Sequence, residues 1–98
     1  MNNIRIAKHG TDLSSRTTGH HLRDEVIRLA AAGPVVLDFS GVRSVSHSFS
    51  DELLAVLVES KGERWFREHV RVINHSPIVR WAILDAIQHR LNGPKEAA

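Results

Sequence analysis

Apolar positions along the chain follow two periods in turn. Ile4-Arg5-Ile6-Ala7 alternates apolar with polar, which predicts a short, half-buried strand. Residues 9–19 are polar and rich in Gly, Ser and Thr. Leu22, Val26, Leu29 and Ala30 then recur at helical spacing, with Arg23, Asp24 and Arg28 on the opposite face. Gly33-Pro34 ends that helix, because Gly suits the left-handed cap and Pro cannot continue the ladder. Val35-Val36-Leu37-Asp38-Phe39 is a nearly continuous apolar run and predicts a strand buried on both faces. Phe49, Leu53, Val56 and Leu57 form the next helical stripe, widened by Leu54 and Val58 and ended by Gly62. Residues 63–69 fit neither period, yet Trp65 and Phe66 must pack, and a last helical turn over the sheet edge would let them. Val70-Arg71-Val72-Ile73 predicts a third strand. Ser76-Pro77 opens a further helix, Ser as cap and Pro in the first turn. Its expected buried face is Val79, Ile83, Ile87 and Leu91, and Asn92-Gly93-Pro94 ends it. Residues 95–98 are expected to fray.

Strand and helix thus alternate three times, which predicts an α/β fold: a βαβαβα sandwich layer with a mostly parallel sheet and helices packed on it. The 98 residues make a single domain, because two cores of half that size would each be too small. Right-handed crossovers between parallel strands bring every helix N-terminus to one edge of the sheet, where open α/β proteins bind their ligands. Three loops are expected to meet there, at residues 14–19, 40–50 and 74–77.

Composition narrows the picture. Hydrophobic residues at 42% and charged residues at 24% fit a folded globular chain, and 5% aromatics make its core mostly aliphatic. Without cysteine there are no disulfides or thiolate metal sites. No apolar run approaches the roughly 20 residues of a membrane span, and the N-terminus lacks a signal-like apolar core. The expected location is the cytoplasm. A net charge of +2, with Lys and Arg dispersed, gives no concentrated basic patch for nucleic acid.

Candidate chemistry gathers in Ser44-Val45-Ser46-His47-Ser48-Phe49-Ser50-Asp51-Glu52, where a serine stands at every second position. Capping accounts for one of them. Ser48 as cap has Asp51 three residues on, whereas Ser50 as cap makes Phe49 and Leu54 a hydrophobic staple. Either cap is worth about 1 kcal/mol, and Asp51 and Glu52 suit the positive end of the helix dipole. No Gly-x-Ser-x-Gly turn supports a serine hydrolase. Arg16-Thr17-Thr18-Gly19 puts a guanidinium, two hydroxyls and backbone N–H groups before a helix. That group would cradle a phosphate or carboxylate; the plainer alternative is a threonine cap and an arginine tethering the loop. If the two loops face each other, Arg16 reaches a phosphoserine, or Asp51 and Glu52. Seven histidines show no His-Glu-x-x-His spacing, and His20 with Asp24 is the best pair on one face, short of the three ligands a zinc site needs. His47 and His75 fall in two of the converging loops. Asp38, ending its strand, is expected to accept N–H groups of the following loop. No metal and no cofactor are expected.

Residues 35–57, VVLDFSGVRSVSHSFSDELLAVL, resemble the STAS fold of sulphate transporter and anti-sigma-factor antagonist domains. The match is closer to bacterial STAS-like domains of unassigned function. Their pattern joins a strand ending in Asp-Phe, a Ser-Phe-x-Asp-Glu helix start and an Arg-x-x-Gly element. Here these are Asp38-Phe39, Ser48 to Glu52, and Arg16 to Gly19, and the resemblance extends over roughly residues 14–91. It implies a regulatory protein-interaction module, not an enzyme. Its partner would be an ATPase of the histidine-kinase superfamily that phosphorylates a serine and thereby breaks the complex. Alignment of the strands puts Ser48 at that serine. The antagonists' Asp-Ser-Ser-Gly is Ser46-His47-Ser48-Phe49 here, with Phe49 expected to plug the core at the helix start. The partner or anion surface then comprises Arg16, Thr17, Gly19, His47, Phe49, Ser50, Asp51, Glu52 and His75, on a monomer or weak dimer. The rival function is an anion- or nucleotide-binding domain, or phosphoryl-transfer accessory, using the helix N-termini at Arg16/Gly19 and Ser48.

Overall fold

Each apolar run of the sequence finds a place in one parallel sheet or in the helices over it. The computed structural model describes residues 2–93. Along them run β1 (Asn2–Arg5), a 3₁₀ turn (Ile6–His9), β2 (Asp12–Leu13), α1 (Arg16–Ala30), β3 (Val35–Asp38) and β4 (Ser44–Val45). There follow α2 (His47–Ser50), a π-helical segment (Asp51–Ala55), α3 (Val56–Lys61), α4 (Glu63–His69), β5 (Val70–Ile73) and α5 (Pro77–Asn92). From α2 to α3 the turns follow one another without a break, as one central helix over residues 47–61. The tail expected to fray lies outside the described residues.

The main sheet has the order β1-β3-β5, all parallel. Its register lines up Ile4 with Leu37 and Val72, and Val35 with Val70. This row faces the helices, and the core continues through Leu22, Val26, Phe39, Phe49, Leu53, Leu57, Val79 and Ile83. On the other face Asn3, Arg5, Arg71 and Ile73 are exposed. The expectation that β3 is covered on both faces is therefore corrected: helices cover one face only. Val36 is nevertheless buried, because it lies mid-sheet between Asn3 and Arg71, whose long stem can shield it.

Other boundaries shift for identifiable reasons. The first strand ends at Arg5, and Ile6 turns wholly into the core within the 3₁₀ turn. β2 and β4 pair in parallel over two residues each, too short for any period to reveal. Residues 63–69 form a helix of their own, since Gly62 at φ +98° breaks the chain direction after α3. Trp65 and Phe66 pack half-buried against the core from it. In α5 the buried residues are Val79, Ile83 and Ala86, and Leu91 is exposed rather than buried. No helix of the described residues is long and apolar enough to cross a membrane.

Candidate functional site

Serines begin all three long helices. Ser15, Ser46 and Ser76 accept the backbone N–H of Thr18, Phe49 and Val79 at 3.1, 3.0 and 3.2 Å. The cap of the central helix is thus Ser46, not Ser48 or Ser50, because β4 ends at Val45 and the helix starts two residues earlier than the acidic pattern implies. The cap of α1 is likewise Ser15 and not a threonine. Two of the converging loops do meet: Ser46 donates its N–H to the Leu13 carbonyl at 2.8 Å and its hydroxyl to the Ser14 carbonyl at 3.2 Å. Beside them Arg43 and Ser44 grip Asp12 at 2.6 and 2.7 Å, holding that exposed carboxyl down at a pKa of about 2. The third loop joins through Asn74, which takes a left-handed φ of 60° and donates to Asp38 Oδ1 at 3.0 Å. Asp38 Oδ1 also accepts the Ser40 N–H at 2.9 Å, so the strand-end aspartate organises its loop as expected.

At the centre lies Asp51, only 4% exposed. Arg90 from α5 grips it side-on, Nε and Nη2 donating to the two carboxylate oxygens at 2.7 and 2.8 Å. Arg16 from the start of α1 adds a third bond at 2.9 Å and reaches Glu52 at 2.8 Å. Arg90 also donates to Glu59 at 2.9 Å. Arg23 donates to the Glu52 carboxylate at 2.9 Å and to the Glu52 main-chain carbonyl at 2.6 Å. That carbonyl belongs to the π-helical segment, and an outside donor steadies a turn whose hydrogen-bond ladder is displaced. Arg23 also donates to Nδ1 of His20 at 2.8 Å; a guanidinium only donates, so the proton is on Nε2, which faces Asp24 at 3.3 Å. The Arg90 guanidinium, more than the half-exposed Arg16, holds the Asp51 carboxyl at a pKa of about 2 against the opposing effect of burial. Arg23 and then Arg16 lower Glu52 in the same way. An open hollow of ≈ 450 Å³ borders this pair, and His47 stands edge-on to His89 across it, ring centroids 5.4 Å apart.

Gly19 completes the arrangement. A Cβ there would come within 3.0 Å of the Phe49 carbonyl oxygen and 3.1 Å of the Glu52 Cβ. The Arg-x-x-Gly and Ser-Phe-x-Asp-Glu elements are therefore two halves of one helix–helix contact: Gly19 lets the helices approach, and Arg16 neutralises the acids brought close. The Gly19 N–H bonds to the Ser15 carbonyl at 3.1 Å, and that of Thr18 to the Ser15 side chain. Both of these N–H groups are thus engaged within the helix start itself.

The structure also rearranges the expected surface. Phe49, Ser50 and Asp51 are buried and cannot touch a partner directly, because the central helix turns them toward the core and the arginines. Phe49 is the core plug that was expected, and the Ser50 hydroxyl is buried with no partner among the described residues. Thr17 and His47 are exposed, and Ser48 and Glu52 are half-buried. His75 lines an apolar groove with Phe66 and Val72 rather than joining His47. Sequence reasoning missed Arg90 and Glu59, and it placed Arg23 on the outer face of α1. One signal was available for a second arginine: an aspartate in a helix turn between core Phe49 and core Leu53 and Leu54 needs more than one donor once buried. Among the described residues no three His, Asp or Glu side chains group as metal ligands.

Two outcomes follow. Gly19→Ala gains about 1 kcal/mol of helix propensity but meets a helix backbone, an overpacking cost of about 1–3 kcal/mol. Urea denaturation should show a net loss of up to about 2 kcal/mol, and a more stable variant would contradict the close contact. Asp51, with its pKa depressed from 3.8 to about 2, contributes stability that is present above pH 4 and is lost as pH falls toward 2. The loss amounts to about 2 kcal/mol by pH 2. Stability measured from pH 5 to 2 should fall less steeply in Asp51→Asn by about that amount; identical slopes would count against the pairing.

Comparison with known proteins bears on the family and fold. The model of a family described as STAS-like domain of unknown function (DUF4325) matches residues 18–80. Gly19, Asp38-Phe39 and Ser48 to Glu52 fall within the match, whereas Arg16 and Arg90 lie outside it. No curated protein and no solved structure matches the chain. A parallel sheet with packed helices, and a family match over more than half the residues, lead to one conclusion: the chain belongs to the family of STAS-like domains of unknown function.

Proposed function

We propose that this domain is a non-enzymatic regulatory module that binds a protein through the serine edge and is switched by phosphorylation of Ser48. The observation that carries this is the position of the cap. Ser46 takes the capping role, so the Ser48 hydroxyl, half-buried in the first turn, is not needed to start the helix. Ser48, Asp51 and Glu52 stand at i, i+3 and i+4, on one helix face. A phosphate there adds close to two negative charges next to acids that Arg16 already serves. The helix N-terminus tolerates the charge. Arg16, half exposed, is then drawn from Asp51 and Glu52 toward the phosphate, and the face shared by α1 and the central helix changes. The partner we infer, from the family resemblance, is an ATPase of the histidine-kinase superfamily. The rival reading is an anion- or nucleotide-binding function at the Arg16/Gly19 and Ser48 helix N-termini, where the N–H groups of Thr18 and Gly19 are already engaged.

Phosphosite mapping by mass spectrometry, after incubation with ATP and a lysate of the source organism, tests the proposal. Phosphate on Ser48, absent in Ser48→Ala and retained in Ser46→Ala, is the expected result. An unmodified Ser48 in a lysate that phosphorylates other substrates contradicts it. A thermal shift with nucleotide alone would favour the rival.

A further inference from the structure

Helix α5 is apolar on both sides. Its inner residues Val79, Ile83 and Ala86 enter the core, yet Trp81 is 67% exposed, and Leu84 and Leu91 are exposed with it. Helical spacing aligns Trp81, Leu84, Gln88 and Leu91 in one stripe, separated by three, four and three residues. That spacing reads the same from either end. An apolar hollow and a mixed polar and apolar one adjoin beside the stripe, sharing Leu84 and Ile87 as a common wall. One hollow is lined by Arg80, a basic end, and the other by Glu63, an acidic end.

We propose that this face binds a second copy of the chain, with two α5 helices packed antiparallel about a two-fold axis between Leu84 and Gln88. The axis sets Trp81 against the partner's Leu91 and Leu84 against the partner's Gln88. It also brings the Arg80 end of each face to the Glu63 end of the other. A two-fold interface requires a patch complementary to itself, and the palindromic spacing together with opposite charges at the two ends supplies one. A heterologous partner requires neither feature. The interface rests on α5 alone and is independent of Ser48. A 16-residue helix offers a face about 24 Å long and about 10 Å wide, roughly 240 Å² against the roughly 800 Å² per partner of a standard interface, so the dimer is weak.

Sedimentation equilibrium on the full chain from about 5 to 200 µM tests this, with a dissociation constant on the order of 10 µM expected. Trp81→Ser should weaken association at least about tenfold, with the far-UV circular dichroism unchanged and the melting temperature unchanged when both proteins are compared well below the dissociation constant, where they are monomeric. Arg80→Glu and Glu63→Arg should each weaken it several-fold. The two together in one chain should return it to within about threefold of wild type, since the ends are then complementary again. A wild type that stays monomeric at about 200 µM overturns the proposal, as does a dimer indifferent to Trp81→Ser or a double charge swap that fails to restore it. Capture of the face by anionic vesicles, read as a fluorescence blue shift lost in Trp81→Phe, with no self-association, would assign it to a membrane surface and also overturn it.

Discussion

Asp51 carries a charge in a place where water barely reaches, and the layout of the helices follows from how that charge is met. Removing one partner of a buried ion pair costs about 3–5 kcal/mol, although the intact pair gains little over apolar packing. Such a pair therefore fixes where elements lie more than it adds stability. Here the donors come from opposite ends of the sequence, Arg16 at the start of α1 and Arg90 near the end of α5. They meet on the central helix, so one carboxylate sets three helices in register. In a chain without cysteine, this cross-link does work that a disulfide does in other small domains.

The same constraint shapes the serine edge. Gly19 and Arg16 hold α1 against the central helix, and Ser46 ties that helix to the loop before α1 through Leu13 and Ser14. Ser48 is left on the first turn of a helix that is already capped and anchored. Helix α5 divides its duties by face: Arg90 and the buried aliphatics turn inward, while Trp81 and Leu84 look outward.

Periodicity made the three strands and three long helices legible, because each buries one stripe or row. It failed where no stripe exists. The two-residue β2–β4 pairing is held by Asp12, Arg43 and Ser44, local polar contacts without a period. The nearly continuous apolar run of β3 reads as doubly covered, but lateral shielding by neighbouring strands suffices to bury Val36. The contact between Arg16 and the acids was legible from the loops facing each other. The role of Arg90 was not, since it lies 39 residues from Asp51 and resembles any exposed helix arginine in the sequence. Leu91 shows the opposite error: a helical spacing that continues an inward stripe, on a residue that faces water.

The most direct test of the account is a double-mutant cycle between Arg16 and Arg90, measured by chemical denaturation of Arg16→Met, Arg90→Met and the double variant. The two arginines are predicted to be coupled through Asp51. Either one alone leaves the carboxylate a partner, so the double variant should lose more stability than the sum of the singles, by about 1 kcal/mol or more. Strict additivity would contradict the claim that one buried aspartate joins α1 to α5.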